Sequence, residues 1–174
     1  DWSSDVCSSD LGTKAQGDFS DFGAPDFHIE KEYDTEFVKA LSDFAEDVGI
    51  PAGTLGEKGK RLDHGVLVPL SFLEPVYTQY KLVRLSISGL SYEEHYRFGQ
   101  CIAQAAESLN RKTVIIASGD LSHKLLEEGP YGFAKEGPEF DKKVVNAMES
   151  GNFLKMLQFD EDFCDTACEC GLRS

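Results

Sequence analysis

The stretch that decides the fold runs from residue 81 to residue 117, KLVRLSISGLSYEEHYRFGQCIAQAAESLNRKTVIIA. It opens with Lys81–Ser88, which is typical of a strand, and closes with Thr113–Ala117, a short β-branched run typical of a strand buried on both faces. Between them, Ser91 and the Glu94 that follows three residues later form a capping box that opens an amphipathic helix. Strand, helix and strand make a βαβ unit, so the sequence predicts a parallel sheet.

The flanking segments add further elements to this unit. Alternating residues predict a half-buried strand over Phe27–Tyr33, after a loop over residues 12–26. Helical spacing predicts helices over residues 35–48, around Phe72 and behind Pro138, with shorter helical pieces near the end of the chain. We therefore expect an α/β fold, a partial three-layer domain in which helices flank a mostly parallel central sheet.

Length and composition exclude several classes of protein. The 174 residues fit one domain, and 41% hydrophobic with 28% charged residues indicates a globular chain without a membrane-spanning stretch. A net charge of −14 without a basic cluster argues against binding to nucleic acid or to an anionic membrane. Five cysteines without regular spacing favour a reducing, cytoplasmic location.

Residues 1–11, DWSSDVCSSDL, show no apolar period and no charge pattern. The string matches one reading frame of a sequencing-library adapter, so we expect it to be non-native and leave it out of fold reasoning. The alternative is a real N-terminal segment without order. On the first interpretation, the native sequence covers residues 12–174 and is part of a longer domain.

The richest group of reactive side chains follows the predicted strand Thr113–Ala117. Ser118, Asp120, Ser122 and His123 lie within six residues, where the carboxyl end of a parallel strand is expected to place a ligand site. Imidazole exchanges protons near neutral pH, so His123 is the best candidate for an acid–base residue. The alternative is a histidine that only caps an element or packs in the core.

A second histidine, His64, follows Asp63 at the start of an apolar run. The Asp63 carboxylate could orient the imidazole or could cap the following helix, and the spacing favours the cap. No nucleophile elbow occurs, and Ser118, Asp120 and His123 are too close in sequence for a hydrolase triad.

The cysteines near the end of the chain require a separate interpretation. Cys164, Cys168 and Cys170 do not have the spacing of a zinc or iron–sulfur site. We expect Cys164 and Cys168, like Cys101, to pack as small hydrophobic residues. Cys170 and Glu169 are the two candidates for a metal ligand.

Two segments, LDHGVLVPL (62–70) and ASGDLSH (117–123), closely resemble motifs of the class III extradiol ring-cleavage dioxygenases and their Memo-like relatives. The resemblance extends over residues 12–174. It is strongest to the dioxygenase-like domain of the AmmeMemoRadiSam system protein A family. It implies that residues 12–174 form an incomplete class III extradiol dioxygenase-like domain.

The resemblance also implies roles for particular residues. His123 would be the acid–base residue, and His64 would line the pocket for substrate and oxygen. Fe(II), or another divalent metal, would be held by two histidines from N-terminal segments that this chain does not hold, together with a third ligand near its end. Memo-like proteins have a cysteine at that place, which fits Cys170, whereas dioxygenases have a glutamate, for which Glu169 is the candidate.

Two functions follow from the resemblance. The first is an iron-dependent extradiol dioxygenase-like oxidoreductase that acts on a small aromatic (catecholic) or related substrate with dioxygen. In that case we expect this chain to be inactive alone, because two metal ligands are missing. The second is a Memo-like metal-binding or interaction domain without ring cleavage, which serves beside an AMMECR1-type domain and a radical-SAM protein. A hydrolase-like use of the same fold is weaker, because no nucleophile is positioned.

Overall fold

A computed structural model of the chain describes residues 14–52 and 61–174. The described residues fall into two units, residues 14–52 with 61–116 and residues 117–174, which are described separately below. The expectation that residues 1–11 are non-native falls outside the described residues. Among the helices in the described ranges, none is long and apolar enough to cross a membrane.

The first unit begins with an antiparallel hairpin. Strand β1 (Lys14–Phe19) pairs with strand β2 (Ala24–Glu32), and a 3-10 turn over Ser20–Phe22 connects them. The prediction of a strand around Phe27–Tyr33 is confirmed, but the prediction of a loop over residues 12–26 is wrong for β1. The mainly polar composition of β1, with one glycine among its six residues, hides its strand character, which comes from pairing with β2 rather than from its own apolar period.

Three helices complete the first unit: α1 (Thr35–Asp47), α2 (His64–Leu73) and α3 (Tyr92–Ser108). The Asp34 side chain caps α1 by accepting a hydrogen bond from the Phe37 amide at 3.1 Å. The predicted capping box opens α3, since the Ser91 hydroxyl oxygen accepts from the Glu94 amide and the Glu94 carboxylate accepts from the Ser91 amide. Helices α1 and α3 pack together through one buried apolar cluster: Phe37, Leu41, Ala45, Ile50, Phe98, Cys101, Ile102 and Ala105.

Helix α2 packs against the hairpin through a second buried cluster, which comprises Ala15, Ile29, Tyr33, Leu62, Leu67 and Leu70. Gly17 of β1 allows the hairpin and the residues before α2 to approach closely, because it has no side chain. A Cβ atom on Gly17 would lie 2.9 Å from the Leu62 Cβ and carbonyl oxygen, so only glycine fits there. The hairpin and the start of α2 are therefore in close contact.

The mostly parallel central sheet is not found in the described residues. Only an isolated parallel bridge between Tyr33 and Leu82 marks the segment 81–88, and residues 113–117 form no strand. Val114, Ile115 and Ile116 are 86%, 62% and 51% exposed. The reason is physical: a strand exists through hydrogen bonds to its neighbours, and no neighbouring strand reaches this run within the described residues. The prediction of an α/β fold is confirmed only in that the described residues combine helices with a small antiparallel sheet.

The second unit contains α4 (Glu136–Glu149), a 3-10 segment (Phe153–Gln158) and α5 (Glu161–Ala167). Its core is apolar and aromatic, with Phe140 packed against the rings of Phe159 and Phe163. Cys164 is buried as expected. The expectation for Cys168 is wrong: it ends α5 in a left-handed conformation (φ 55°) and is half-buried.

Candidate functional site

The second unit brings two distant segments together, Gly119–His123 and Cys168–Gly171. The His123 amide donates to the Cys168 carbonyl at 3.1 Å, and the Cys170 amide donates to the Asp120 carbonyl at 3.3 Å. A Cβ atom on Gly119 would lie 2.4 Å from the Gly171 Cα. The two segments therefore touch backbone to backbone, which requires glycine at the contact.

The buried hydroxyl of Ser122 fixes the segment next to His123. It donates to the Ala167 carbonyl at 2.7 Å and accepts from the Lys124 amide at 3.0 Å. The Ser122 amide in turn donates to the Asp141 carboxylate at 2.9 Å. These bonds attach the histidine loop to α4 and α5, so the position of His123 is set by packed elements rather than by a free loop.

The result of this packing is a cluster of three side chains, Asp120, His123 and Cys170. One ligand atom from each lies within 4.8 Å of the other two. The His123 Nε2 is 3.2 Å from Asp120 Oδ2, and the Asp120 amide donates to the Cys170 Sγ at 3.2 Å. His123 is partly buried, whereas Asp120 and Cys170 are exposed. The cluster thus lies at the surface of the unit, open to a ligand.

The hydrogen bonds of His123 determine where its proton lies. Its Nδ1 is 2.6 Å from the Cys168 carbonyl oxygen, which can only accept, so Nδ1 carries a hydrogen atom. In the neutral ring Nε2 is then an acceptor, and it faces the carboxylate of Asp120, which is also an acceptor. Two facing acceptors of this kind are a suitable place for a cation such as a divalent metal ion.

The structure separates the two metal-ligand candidates of the sequence. Cys170 belongs to the cluster, whereas the Glu169 carboxylate accepts hydrogen bonds from the Gly171 and Leu172 amides at 2.9 and 2.7 Å. Glu169 therefore stabilises the turn that presents Cys170. Asp120 was noted in the sequence only as part of the loop, although its spacing of three residues before His123 is the signal that could have given it a role.

A further neighbour of the cluster was not found from the sequence. The Tyr131 ring lies 5.1 Å from the His123 imidazole, at an interplanar angle of 57°, and is 55% exposed. Nothing in the local pattern around Tyr131 indicates this contact, because the intervening loop determines it.

His64 lies in the first unit, as the first residue of α2. The Asp63 side chain accepts from the Val66 amide at 3.1 Å, so it caps the helix, which is the alternative that the spacing favoured. His64 is exposed, and its ring lies 5.7 Å from the ring of Phe22 in the hairpin turn.

The donor set of the cluster suits a divalent transition metal. Thiolate, imidazole and carboxylate groups together are ligands for ions such as Fe(II) or Zn(II), whereas Mg(II) and Ca(II) prefer oxygen ligands alone. A metal-binding histidine usually donates its second ring N–H to a carbonyl or a carboxylate. The bond from His123 Nδ1 to the Cys168 carbonyl follows this pattern. The residues present therefore fit a metal ion.

Comparison with known sequences identifies the family of the chain. The family of the catalytic LigB subunit of aromatic ring-opening dioxygenases matches residues 1–174. The chain belongs to this family.

Its relatives include both dioxygenases and Memo-like proteins. The chain is 39% identical to a protein of Clostridium acetobutylicum over 165 residues, which cover 91% of this chain and 35% of the relative. It is 23% identical to the 3,4-dihydroxyphenylacetate 2,3-dioxygenase of Escherichia coli, covering 80% of this chain and 53% of the enzyme. It is 30% identical to a MEMO1 family protein of Archaeoglobus fulgidus, covering 74% of this chain and 44% of the relative. The chain thus spans between about a third and about half of the length of these relatives.

Proposed function

We propose that this chain is the part of an iron-dependent, extradiol dioxygenase-like oxidoreductase that supplies the acid–base residue and two of the metal ligands. The substrate would be a small aromatic compound with vicinal hydroxyl groups, a catechol, and the co-substrate would be dioxygen. The observation that carries the proposal is the convergence of Asp120, His123 and Cys170, which places two groups able to bind a divalent metal beside an imidazole able to exchange a proton.

Each residue of the cluster has a role in this proposal. The Cys170 thiolate and the Asp120 carboxylate would hold the divalent metal, which supplies Lewis acidity when it is bound. His123 would take a proton from a catechol hydroxyl at Nε2, since its Nδ1–H is already bonded to the Cys168 carbonyl. Tyr131 lies beside the imidazole and would restrict where the aromatic ring of the substrate can bind next to His123.

The resemblance adds His64 to the proposal as a residue of the pocket for substrate and oxygen. Its exposure at the N-terminus of α2 and its aromatic neighbour Phe22 support such a role. The enzyme from Escherichia coli is named for a dihydroxylated aromatic acid, which favours the catechol class of substrate.

A second function is favoured by one specific observation. The ligand candidate in the cluster is Cys170, the residue expected in Memo-like proteins, while Glu169 is occupied by backbone amides. This arrangement supports a metal-binding or interaction domain without ring cleavage. Association with an AMMECR1-type domain and a radical-SAM protein, and a cytoplasmic location, stay predictions from the sequence.

The first experiment tests metal-dependent binding of a catechol. 4-Nitrocatechol is titrated without oxygen into the chain with and without Fe(II), and its absorbance reports both binding and loss of the hydroxyl protons. We expect a red shift that requires the metal, is lost in Cys170→Ser and is weakened in His123→Ala. The control is His28→Ala, because His28 is an exposed histidine on β2, outside the cluster. An identical red shift in all variants would overturn the proposal.

A second experiment separates ring cleavage from metal binding alone. Oxygen consumption is measured on the full-length protein with catechol and Fe(II), because the resemblance assigns two further histidine ligands to N-terminal segments. Consumption that His123→Ala abolishes supports the dioxygenase-like function. A full-length protein that binds the metal through Cys170 but consumes no oxygen supports the Memo-like function instead.

A further inference from the structure

The hairpin of the first unit presents one aromatic ring that does not serve its core. Phe19 and Phe27 stack at 5.1 Å and pack against the buried cluster of the hairpin and α2. Phe22, by contrast, is 66% exposed and touches Phe19 only edge-on, with centroids 6.2 Å apart. Its other aromatic neighbour is the exposed His64, at 5.7 Å and an interplanar angle of 57°. Two rings from distant parts of the chain are therefore held together at the surface.

The backbone around this ring pair is firmly connected. The Leu62 amide, two residues before His64, donates to the Gln16 carbonyl of β1 at 2.9 Å. Arg61 forms an ion pair with Asp18 at the end of β1. Together with the close contact of Gly17 and Leu62, these bonds fix the start of α2 against the hairpin.

The turn that carries Phe22 is also well defined. The Ser20 amide donates to the Asp18 carboxylate at 2.9 Å, and the same carboxylate accepts from the Ser20 hydroxyl group. Gly23 ends the turn with φ 76°, a left-handed conformation that glycine adopts without strain. These contacts fix the backbone position of Phe22, while its ring lies outside the core.

The exposed surface of Phe22 lies in contact with water, which is unfavourable for an apolar side chain. A flat aromatic molecule stacked on that surface would remove apolar surface from water, and aromatic rings prefer such offset contacts. The neighbouring imidazole of His64 could accept or donate a hydrogen bond to a ring hydroxyl group. The pair thus offers a stacking surface and a hydrogen-bonding group to a hydroxylated aromatic ring.

We propose that Phe22 is a specificity-determining residue, whose ring stacks on the aromatic ring of the ligand while His64 binds a ring hydroxyl group. This inference rests on the proposed function for the class of substrate, but it concerns the first unit alone and requires no metal. It assigns a binding role to the turn Ser20–Phe22, which the sequence patterns alone indicated only as loop.

The test measures binding of 4-nitrocatechol to the metal-free chain, in which chelation cannot contribute. Replacement of the ring by an aliphatic side chain, Phe22→Leu, should raise the Kd about two- to twelve-fold, the range expected for loss of one aromatic pair. Phe22→Tyr keeps the ring and should stay within about twofold of wild type. The matched control is Phe72→Leu, the same substitution at a residue that is 77% exposed on the same helix as His64.

The His64 ring protons give a second measurement by NMR. The probe should shift them in wild type and in Phe72→Leu, and shift them less in Phe22→Leu. The proposal is overturned if the wild-type chain shows no saturable binding, or if Phe22→Leu binds as tightly as wild type. The proposed function has its own failing result, which is metal-dependent binding that does not respond to Cys170→Ser or His123→Ala. That result would not change the effect of Phe22→Leu on metal-free binding.

Discussion

Substitution of Gly119 by alanine is the perturbation that the structure constrains most sharply. The new Cβ would lie 2.4 Å from the Gly171 Cα and 2.9 Å from the Cys170 carbonyl oxygen, whereas non-bonded carbon atoms need about 3.5–4.0 Å. The two segments must therefore separate by about 1 Å or more. Both contacts are backbone atoms, so no side-chain rotation relieves the overlap. Overpacking of this kind costs about 1–3 kcal/mol, and we expect Gly119→Ala to lose that much free energy of unfolding.

Two measurements check this expectation. Urea unfolding gives the change in stability, and amide hydrogen exchange shows whether the Cys170 N–H, which donates to the Asp120 carbonyl, becomes less protected. The control is Gly99→Ala in the middle of α3, where an added Cβ meets nothing within 4 Å and should stabilise the helix by ~1 kcal/mol. Equal stability and equal protection of Cys170 in wild type and Gly119→Ala would refute the packing of these two segments.

Three further predictions concern single side chains. Ser122→Ala removes a hydroxyl that makes two buried hydrogen bonds and should cost about 1–3 kcal/mol in urea unfolding, and an unchanged midpoint would contradict its role. Ile115→Lys should reduce self-association in sedimentation velocity runs, since the exposed β-branched run is a template for pairing, whereas Val145→Lys on α4 should not. The bonds from Ser91 lower the pKa of Glu94 below 4.5, so its contribution to stability is present above about pH 4.5 and lost as the pH falls through the lower folded-state pKa. The difference in unfolding free energy between wild type and Glu94→Gln should therefore shrink on acidification, and a constant difference would argue against this bond.

The helices of this chain could be predicted because their signals are local. The Asp34 cap and the Ser91–Glu94 capping box lie within four residues of the amides they bind. The apolar period of each helix then identifies the face that packs. Even the choice between two roles for Asp63 followed from its spacing, since a cap needs an amide two or three residues ahead.

The sheet could not be predicted in the same way, because a strand depends on partners elsewhere in the chain. Val114–Ile116 has the composition of a buried strand but is exposed and unpaired within the described residues, while the polar β1 forms a strand because β2 pairs with it. Composition alone does not distinguish these two cases.

The candidate site could be predicted only in part. His123 and Cys170 were chosen for their chemistry, and the structure brings them together with Asp120. The contacts that unite them bridge some 50 residues of sequence and depend on the approach of Gly119 to Gly171, which no local pattern encodes. Tyr131 was missed for the same reason.

The central claim is that Asp120 and Cys170 bind one metal ion beside His123, whose Nε2 exchanges a proton with the substrate. Titration with Co(II) tests it most directly, because a thiolate bound to Co(II) produces a charge-transfer absorption in the near ultraviolet. We predict this absorption for wild type, for Cys168→Ser, a matched substitution two residues away, and for His123→Ala, with a weaker signal in Asp120→Asn. Cys170→Ser should lose it. The same absorption in Cys170→Ser as in wild type would contradict the claim.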